Sequence, residues 1–330
     1  MSAVAGPHTA VMQAGGEHLA GLLERVEERL AALACDHGRV LGEHAGETIA
    51  AGGKRLRPLL VFLAAGADPG GDGDGLVRAA TAVELVHSAT LVHDDVLDAA
   101  ALRRGRPTVV ASAGRAMATA TGDLLFARAF AELTANGRPD EVRVLSDASS
   151  ALARGELLQR TDAWDPGVTV ERYLERCELK TGRLFQAACE LGALEAPGDG
   201  ARFVKPLGEF GLRIGLGFQI LDDVLDVSGP ASRTGKHRGT DLLDGTVTLP
   251  LILAREHDAE LAATDHRSIT TPAEAARICD LIAATGALEA SRERAFILVE
   301  QAKAALPPDL PDAQRRALDL VAAGVVRRYS

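Results

Sequence analysis

The sequence predicts an all-α protein on three observations. Apolar residues recur at helical spacing along most of the chain, two long segments are apolar almost throughout, and no alternating run is flanked by hairpin turns. In order, "EHLAGLLERVEERLAAL" (17–33) sets Leu19, Leu22, Leu23, Val26 and Leu30 on one stripe, with Glu and Arg opposite. Residues 76–100 read as one long helix with an apolar middle, the pattern of a buried central helix. Residues 203–227 are its counterpart, where Gly211, Gly215 and Gly217 cost helix stability but permit close packing. Further helices are expected over 114–135, 140–160, 169–193, 247–263, 272–285, 288–305 and 311–328. The Gly/Asp/Pro stretches at 66–75 and 195–200 are loops, and 228–246 is a longer one of the kind that often carries function. No linker divides the chain, so 1–330 is expected to form a single domain, with 1–16 a flexible N-terminus.

Composition narrows the function. Of 330 residues, 47% are hydrophobic, enough for a large core, and only 3% are aromatic, so Ala, Leu and Val must do the packing. A net charge of −10 argues against nucleic acid, whose phosphates call for a basic face. Cys35, Cys177, Cys189 and Cys279 form no CxxC pair and no zinc-like spacing, which fits a reduced cytoplasmic compartment. No signal peptide and no uninterrupted apolar run of about 18 residues is present, so no transmembrane segment is expected.

The pentapeptide DDVLD occurs twice, at 94–98 and 222–226, each time on an apolar helix. Asp94 and Asp98 are i and i+4 and project from one face, as do Asp222 and Asp226. His87 lies seven residues before Asp94 on that same face, and Gln219 three before Asp222. With Asp95 and Asp223, two such tips facing each other could not all stay ionised without cations. Hard divalent ions suit them, since Mg²⁺ is bound by a few carboxylates with ligand phosphates and waters completing its shell. A solvated helix end would explain one copy, but two copies on apolar helices argue against it. The spacing does not fit an EF-hand.

Cations stand in short runs around these motifs: "GGKRLRP" (52–58), "RRGRPT" (103–108), "KTGRLF" (180–185) and "TGKHRGTDL" (234–242). Arg matches phosphate oxygens with a planar fork and Lys acts as a point charge. None of the runs is a P-loop, because the residues after Gly53-Lys54 and Gly235-Lys236 are Arg and His, not Ser or Thr.

As an ordered set, GGKRLRP, DDVLD with RRGRPT, KTGRLF, FQILDDVLD, GK and TLP resemble the trans-isoprenyl diphosphate synthases, the polyprenyl synthetase family. The resemblance is direct over roughly 50–255. It implies a single large helical bundle around a deep central cavity, a homodimer, and head-to-tail condensation of isopentenyl diphosphate with an allylic diphosphate. It implies three Mg²⁺ ions, with Asp94, Asp98 and Asp222 as direct ligands and Asp95, Asp223 and Asp226 acting partly through water. Arg103, Lys180, Thr181, Gln219 and Lys236 match positions at the allylic diphosphate. Lys54, Arg57, His87 and Arg104 match those at isopentenyl diphosphate. The growing tail needs an apolar tunnel. Ala89 and Thr90, five and four residues before Asp94, are small where short-chain members often carry an aromatic, so a product beyond C15 is expected, with C20 the alternative. One departure is Thr246, where the family commonly has lysine in Gly-Lys-x-Thr-Leu-Pro. A class I terpene cyclase, or a non-catalytic subunit of a heteromeric synthase, would share parts of this pattern. The cyclase normally has a different second metal motif, and such subunits usually lose aspartates that are all present here.

Overall fold

The computed structural model describes residues 7–35, 39–50, 55–66, 72–103, 105–198, 200–229 and 238–327. The helices are α1 (Pro7–Cys35), α2 (Arg39–Ala50), α3 (Leu56–Ala65), α4 (Asp74–Leu97), α5 (Val109–Ala113), α6 (Arg115–Ala135), α7 (Pro139–Thr161) and α8 (Val170–Cys177). They continue as α9 (Arg183–Glu195), α10 (Val204–Ser228), α11 (Thr240–Leu243), α12 (Leu249–His257), α13 (Ala259–Ala263), α14 (Pro272–Ala284), α15 (Ala287–Ala304) and α16 (Asp312–Arg327). Among the described residues the only strands are the antiparallel pair β1 (Leu102–Arg103) and β2 (Arg106–Pro107). The predicted all-α class stands. α1 begins at Pro7, inside the segment expected to be flexible, and α2 and α3 are helices that periodicity did not single out.

Contacts gather the chain into two compact units, one from 1–150, 184–211 and 305–324 and the other from 151–183, 212–304 and 325–330. In the first, α4 packs against α1, α2, α3, α5 and α6. Leu76, Val77, Ala79, Ala80, Ala82, Val83, Leu85 and Val86 on α4 are all sealed, which is why this helix shows no single apolar stripe. Its apolarity is long enough to cross a membrane, yet 72% of the window is buried within the protein and it carries Glu84, Asp94 and Asp95, so it reads as a core helix. α3 tolerates Pro58 because the residue lies in the first turn, where its missing N–H is not needed. Arg55, ahead of α3 with φ 47°, spans Glu27 (2.5 Å), Glu84 (2.6 Å) and the Ile49 carbonyl (3.0 Å), so this member of the GGKRLRP run ties helices together. Gly211 answers to the packing expected of it, since a Cβ there would stand 2.5 Å from the Phe185 carbonyl oxygen.

The first unit also sets a buried carboxyl, Glu141, beside the partly buried Glu195. Glu141 on α7 receives a bond from Asn136 Nδ2 (2.9 Å), and Arg138 lies 3.4 Å from both Glu141 and Glu195. Burial, then the neighbouring Glu195, pushes the Glu141 carboxyl up to about 8, against the pull of Asn136 and Arg138. The folded state therefore holds this proton up to about pH 8, whereas the unfolded chain releases it near 4.5. The unfolded state binds fewer protons across that window, so stability falls as pH rises through it. Glu141→Gln should flatten the loss, melting roughly 2–4 °C above the parent at pH 8 and close to it at pH 4.5; melting curves at the two pH values check this.

In the second unit α12 packs on α15 and α8, α11 on α14, and α14 on α15. Tyr173, Ile214, Leu249, Leu251, Ile282, Ala295 and Val299 are sealed in its core. α14 starts with a capping box between Thr271 and Glu274. The helix expected over 247–263 is broken at Asp258, whose side chain accepts from Leu261 N (2.9 Å) and caps α13 instead. Within the expected loop 228–246, residues 240–243 form α11, and 230–237 lie outside the described residues. The predicted helix 169–193 is continuous but passes through a π turn, Glu178–Gly182, containing Lys180 and Thr181.

Candidate active site

The first acidic motif closes α4. Asp94 is partly buried, Asp95 is 5% exposed, and Asp98 caps the helix, its N–H bonding to the Asp94 carbonyl. Ala99 adopts a left-handed φ of 49° and turns the chain, and the β1–β2 hairpin with Gly105 folds back. That return brings Arg103 onto the motif, where Nε and Nη2 both lie 2.8 Å from Asp95 Oδ1. The expectation that RRGRPT emerges beside the first cluster is thus met for Arg103. Arg104 lies outside the described residues, as do Lys54 and Lys236.

The second motif lies on α10, with Asp222 exposed, Asp226 partly buried and Asp223 buried. A continuous chain of bonds runs through Asp223: Thr181 Oγ donates to Gln219 Oε1 (2.7 Å), Gln219 Nε2 to Asp223 Oδ1 (2.8 Å), and Tyr173 Oη to Asp223 Oδ2 (2.6 Å). Three residues marked in the sequence are brought together here, and the π turn presents one of them. π turns frequently mark functional sites. Asp226 Oδ2 accepts from Asp241 N (3.2 Å). Burial and then the charge of Asp241 push the Asp223 carboxyl up to about 8, although Tyr173, Gln219 and Arg176 oppose this. Such a desolvated oxygen donor, short of positive charge, fits a hard divalent cation. Among the described residues no three His, Cys, Asp or Glu side chains are grouped to chelate an ion by themselves.

Lys180 Nζ donates to Glu156 Oε2 (2.5 Å) and Gln159 Oε1 (3.2 Å). Burial opposes it, but Lys180 and Arg160 hold Glu156 below the usual carboxylate range. Gly155 lets α7 reach this turn, because a Cβ there would meet Lys180 N at 2.7 Å. Arg57 lies over the Phe185 ring, 4.7 Å from its centroid. His87 is partly buried on α4, and its carbonyl receives the Thr90 hydroxyl (2.8 Å). Of the two chain-length positions, Ala89 is sealed from solvent and Thr90 is partly accessible.

Tyr173, Asp162, Arg176, Asp241, Glu156 and Gln159 were not singled out in the sequence. Tyr173 carries the one available signal, standing seven residues before Lys180. Gly245 belongs with them: at φ +75° its missing Cβ would stand 2.2 Å from the Trp164 ring, while Trp164 N donates to the Gly245 carbonyl (2.8 Å). Gly245→Ala meets both a backbone and a ring clash, and should cost about 2–3 kcal/mol. Melting, with the fluorescence of Trp164 as the only tryptophan, checks it.

Comparison with known proteins bears on this arrangement. Residues 39–282 match the family model described as polyprenyl synthetase. Heptaprenyl diphosphate synthase component 2 of Geobacillus stearothermophilus is 41% identical, over 82% of this chain and 84% of its own. Octaprenyl diphosphate synthase of Escherichia coli is 36% identical over 80% and 83%. The crystal structure of a polyprenyl synthase from Caulobacter crescentus CB15, complexed with calcium and isoprenyl diphosphate, superposes with a TM-score of 0.88 at 36% identity, covering 100% of both chains.

Proposed function

Because the chain belongs to the polyprenyl synthetase family, with its isoprenoid synthase fold, and is a prenyltransferase, we propose that it condenses isopentenyl diphosphate head-to-tail with an allylic diphosphate and extends the product beyond C15. The observation that carries this reading is the bonded chain from Thr181 through Gln219 to Asp223, which couples the allylic-site residues to the second acidic motif. The heptaprenyl and octaprenyl names of the relatives support the medium- or long-chain product over C20.

The difficult step is departure of diphosphate, which leaves with growing negative charge. Arg103, Lys180 and Lys236 are the cations assigned to that charge. Asp94, Asp98 and Asp222 would hold Mg²⁺ directly, with Asp95, Asp223 and Asp226 in support. When bound, the ions supply Lewis-acid stabilisation of the leaving oxygen. The charge count is consistent: six carboxylates and an allylic diphosphate of about −3 sum to about −9, three Mg²⁺ return +6, and the three cations bring the site near neutrality. In this reading Lys180 exchanges Glu156 for a phosphate oxygen when the substrate arrives. Lys54, Arg57, His87 and Arg104 bind isopentenyl diphosphate, whose double bond attacks the allylic cation. The released diphosphate then takes the proton. Both units belong to one domain in this account, working in the cytoplasm as a homodimer.

The test is elongation by the isolated protein with Mg²⁺, farnesyl diphosphate and labelled isopentenyl diphosphate, the products separated by chromatography. Products longer than C15 are expected. Cyclisation of the primer alone would instead identify a cyclase. Activity only on adding a second protein would identify a subunit, the case that the name "component 2" of one relative favours.

A further inference from the structure

Arg176 is 3% exposed, although arginine is almost never so buried without a full set of partners. On α8 it follows Tyr173 by one turn, and its guanidinium carbon stands 5.4 Å from that ring's centroid. Nη2 donates to the carbonyl of Val247. Nη1 makes no hydrogen bond and lies 4.0 Å from Asp162 Oδ2. Asp162 is itself taken by Arg172, which reaches both its oxygens at 3.1–3.3 Å. A charge buried this way costs several kcal/mol and needs opposite charge nearby to offset it.

The neighbourhood meets that need. Tyr173, over whose ring Arg176 lies, donates to Asp223 Oδ2, while Asp241 N donates to Asp226 Oδ2 and Thr246 N to the Asp241 carbonyl. Val247, which Arg176 grips, follows Thr246, where this chain has a neutral residue in its GTVTLP segment.

We propose that Arg176 is a positioning residue, the buried counter-charge of the second acidic motif, which also clamps the 244–248 segment and does from α8 what a cation at position 246 would otherwise do. It acts behind Asp223 and touches no substrate. The inference rests on the diphosphate site proposed above and adds to it a charge that the site's own motifs do not contain. Its consequence is that the charge can be relocated: taken from 176 and restored at 246, it serves the same carboxylates.

The experiment compares the parent, Arg176→Met, Arg176→Lys, and Arg176→Met combined with Thr246→Lys. For each, binding of Mg²⁺ with inorganic pyrophosphate is measured by calorimetry, melting is measured without ligand, and kcat is separated from KM for the allylic substrate. Outer partners of metal ligands typically contribute 10–100-fold. Arg176→Met should therefore bind pyrophosphate at least about 10-fold more weakly and raise KM more than it lowers kcat. Thr246→Lys in that background should recover binding to within about threefold of the parent, and Arg176→Lys should stay within the same margin. Unchanged binding in Arg176→Met overturns the proposal. So does lost binding with lowered melting that Thr246→Lys does not restore, which would make the residue a structural clamp only. Arg176→Lys losing binding overturns it too, a comparison that holds even if the Met variant does not fold. A parent that binds no Mg²⁺-pyrophosphate overturns the site reading itself, and this inference with it.

Discussion

Asp222→Asn should lower kcat/KM by about 10³-fold, about 4 kcal/mol of transition-state stabilisation, and leave melting nearly unchanged. The expectation follows from position. Asp222 is exposed on α10, so its replacement opens no cavity. The loss must then come from what the carboxylate does to the metal and the leaving diphosphate. Asp223→Asn should behave differently. Its carboxylate accepts from both Tyr173 and Gln219, and an amide has only one acceptor oxygen to offer the two donors. One buried donor would lose its bond, at about 1–3 kcal/mol of stability. Activity together with melting separates the two: Asp222→Asn inactive and stable, Asp223→Asn inactive and less stable. An Asp222→Asn enzyme of near-parental activity would remove this residue from the reaction.

The second large effect is on product length. Thr90 is partly accessible on α4, four residues before Asp94, and its hydroxyl is turned back to the His87 carbonyl. Thr90→Phe puts a ring where solvent now reaches, with little change to the core, and should shift the product from medium or long chain to C20 or below. Ala89→Phe should shorten it as well. Because Ala89 is sealed, however, that ring also overpacks α4 and should cost about 1–3 kcal/mol in stability. Chromatography of the elongation products checks both. Unchanged product length in Thr90→Phe would remove this position from the control of chain length.

Much of the fold was legible because apolar spacing reports burial directly. α4, α6, α7 and α10 lie close to where periodicity put them, while α1 starts at Pro7, ten residues before the segment 17–33 that carries its apolar stripe. α2 and α3 escaped because a short helix with glycines or a proline beside it carries few turns of pattern. The break at Asp258 follows from a cap, which competes with helix continuation on the strength of one side-chain bond. In the candidate site, the aspartates, Lys180, Thr181 and Gln219 were found through spacing and resemblance. Arg176, Asp241 and Glu156 were not, because their partners Val247, Asp223 and Lys180 lie 18 to 71 residues away in sequence. Only packing makes such pairs visible. The π turn was hidden for a related reason, since one extra residue in a turn leaves the apolar pattern almost intact.

The most direct measurement is a crystal structure with Mn²⁺ and a non-ionising allylic diphosphate analogue, the ions located by anomalous scattering. The account predicts ions bound at Asp94 and Asp98 and ions bound at Asp222, with the analogue's diphosphate oxygens among their ligands and its hydrocarbon tail directed toward Thr90. Ions at one motif only, or at neither, would contradict it.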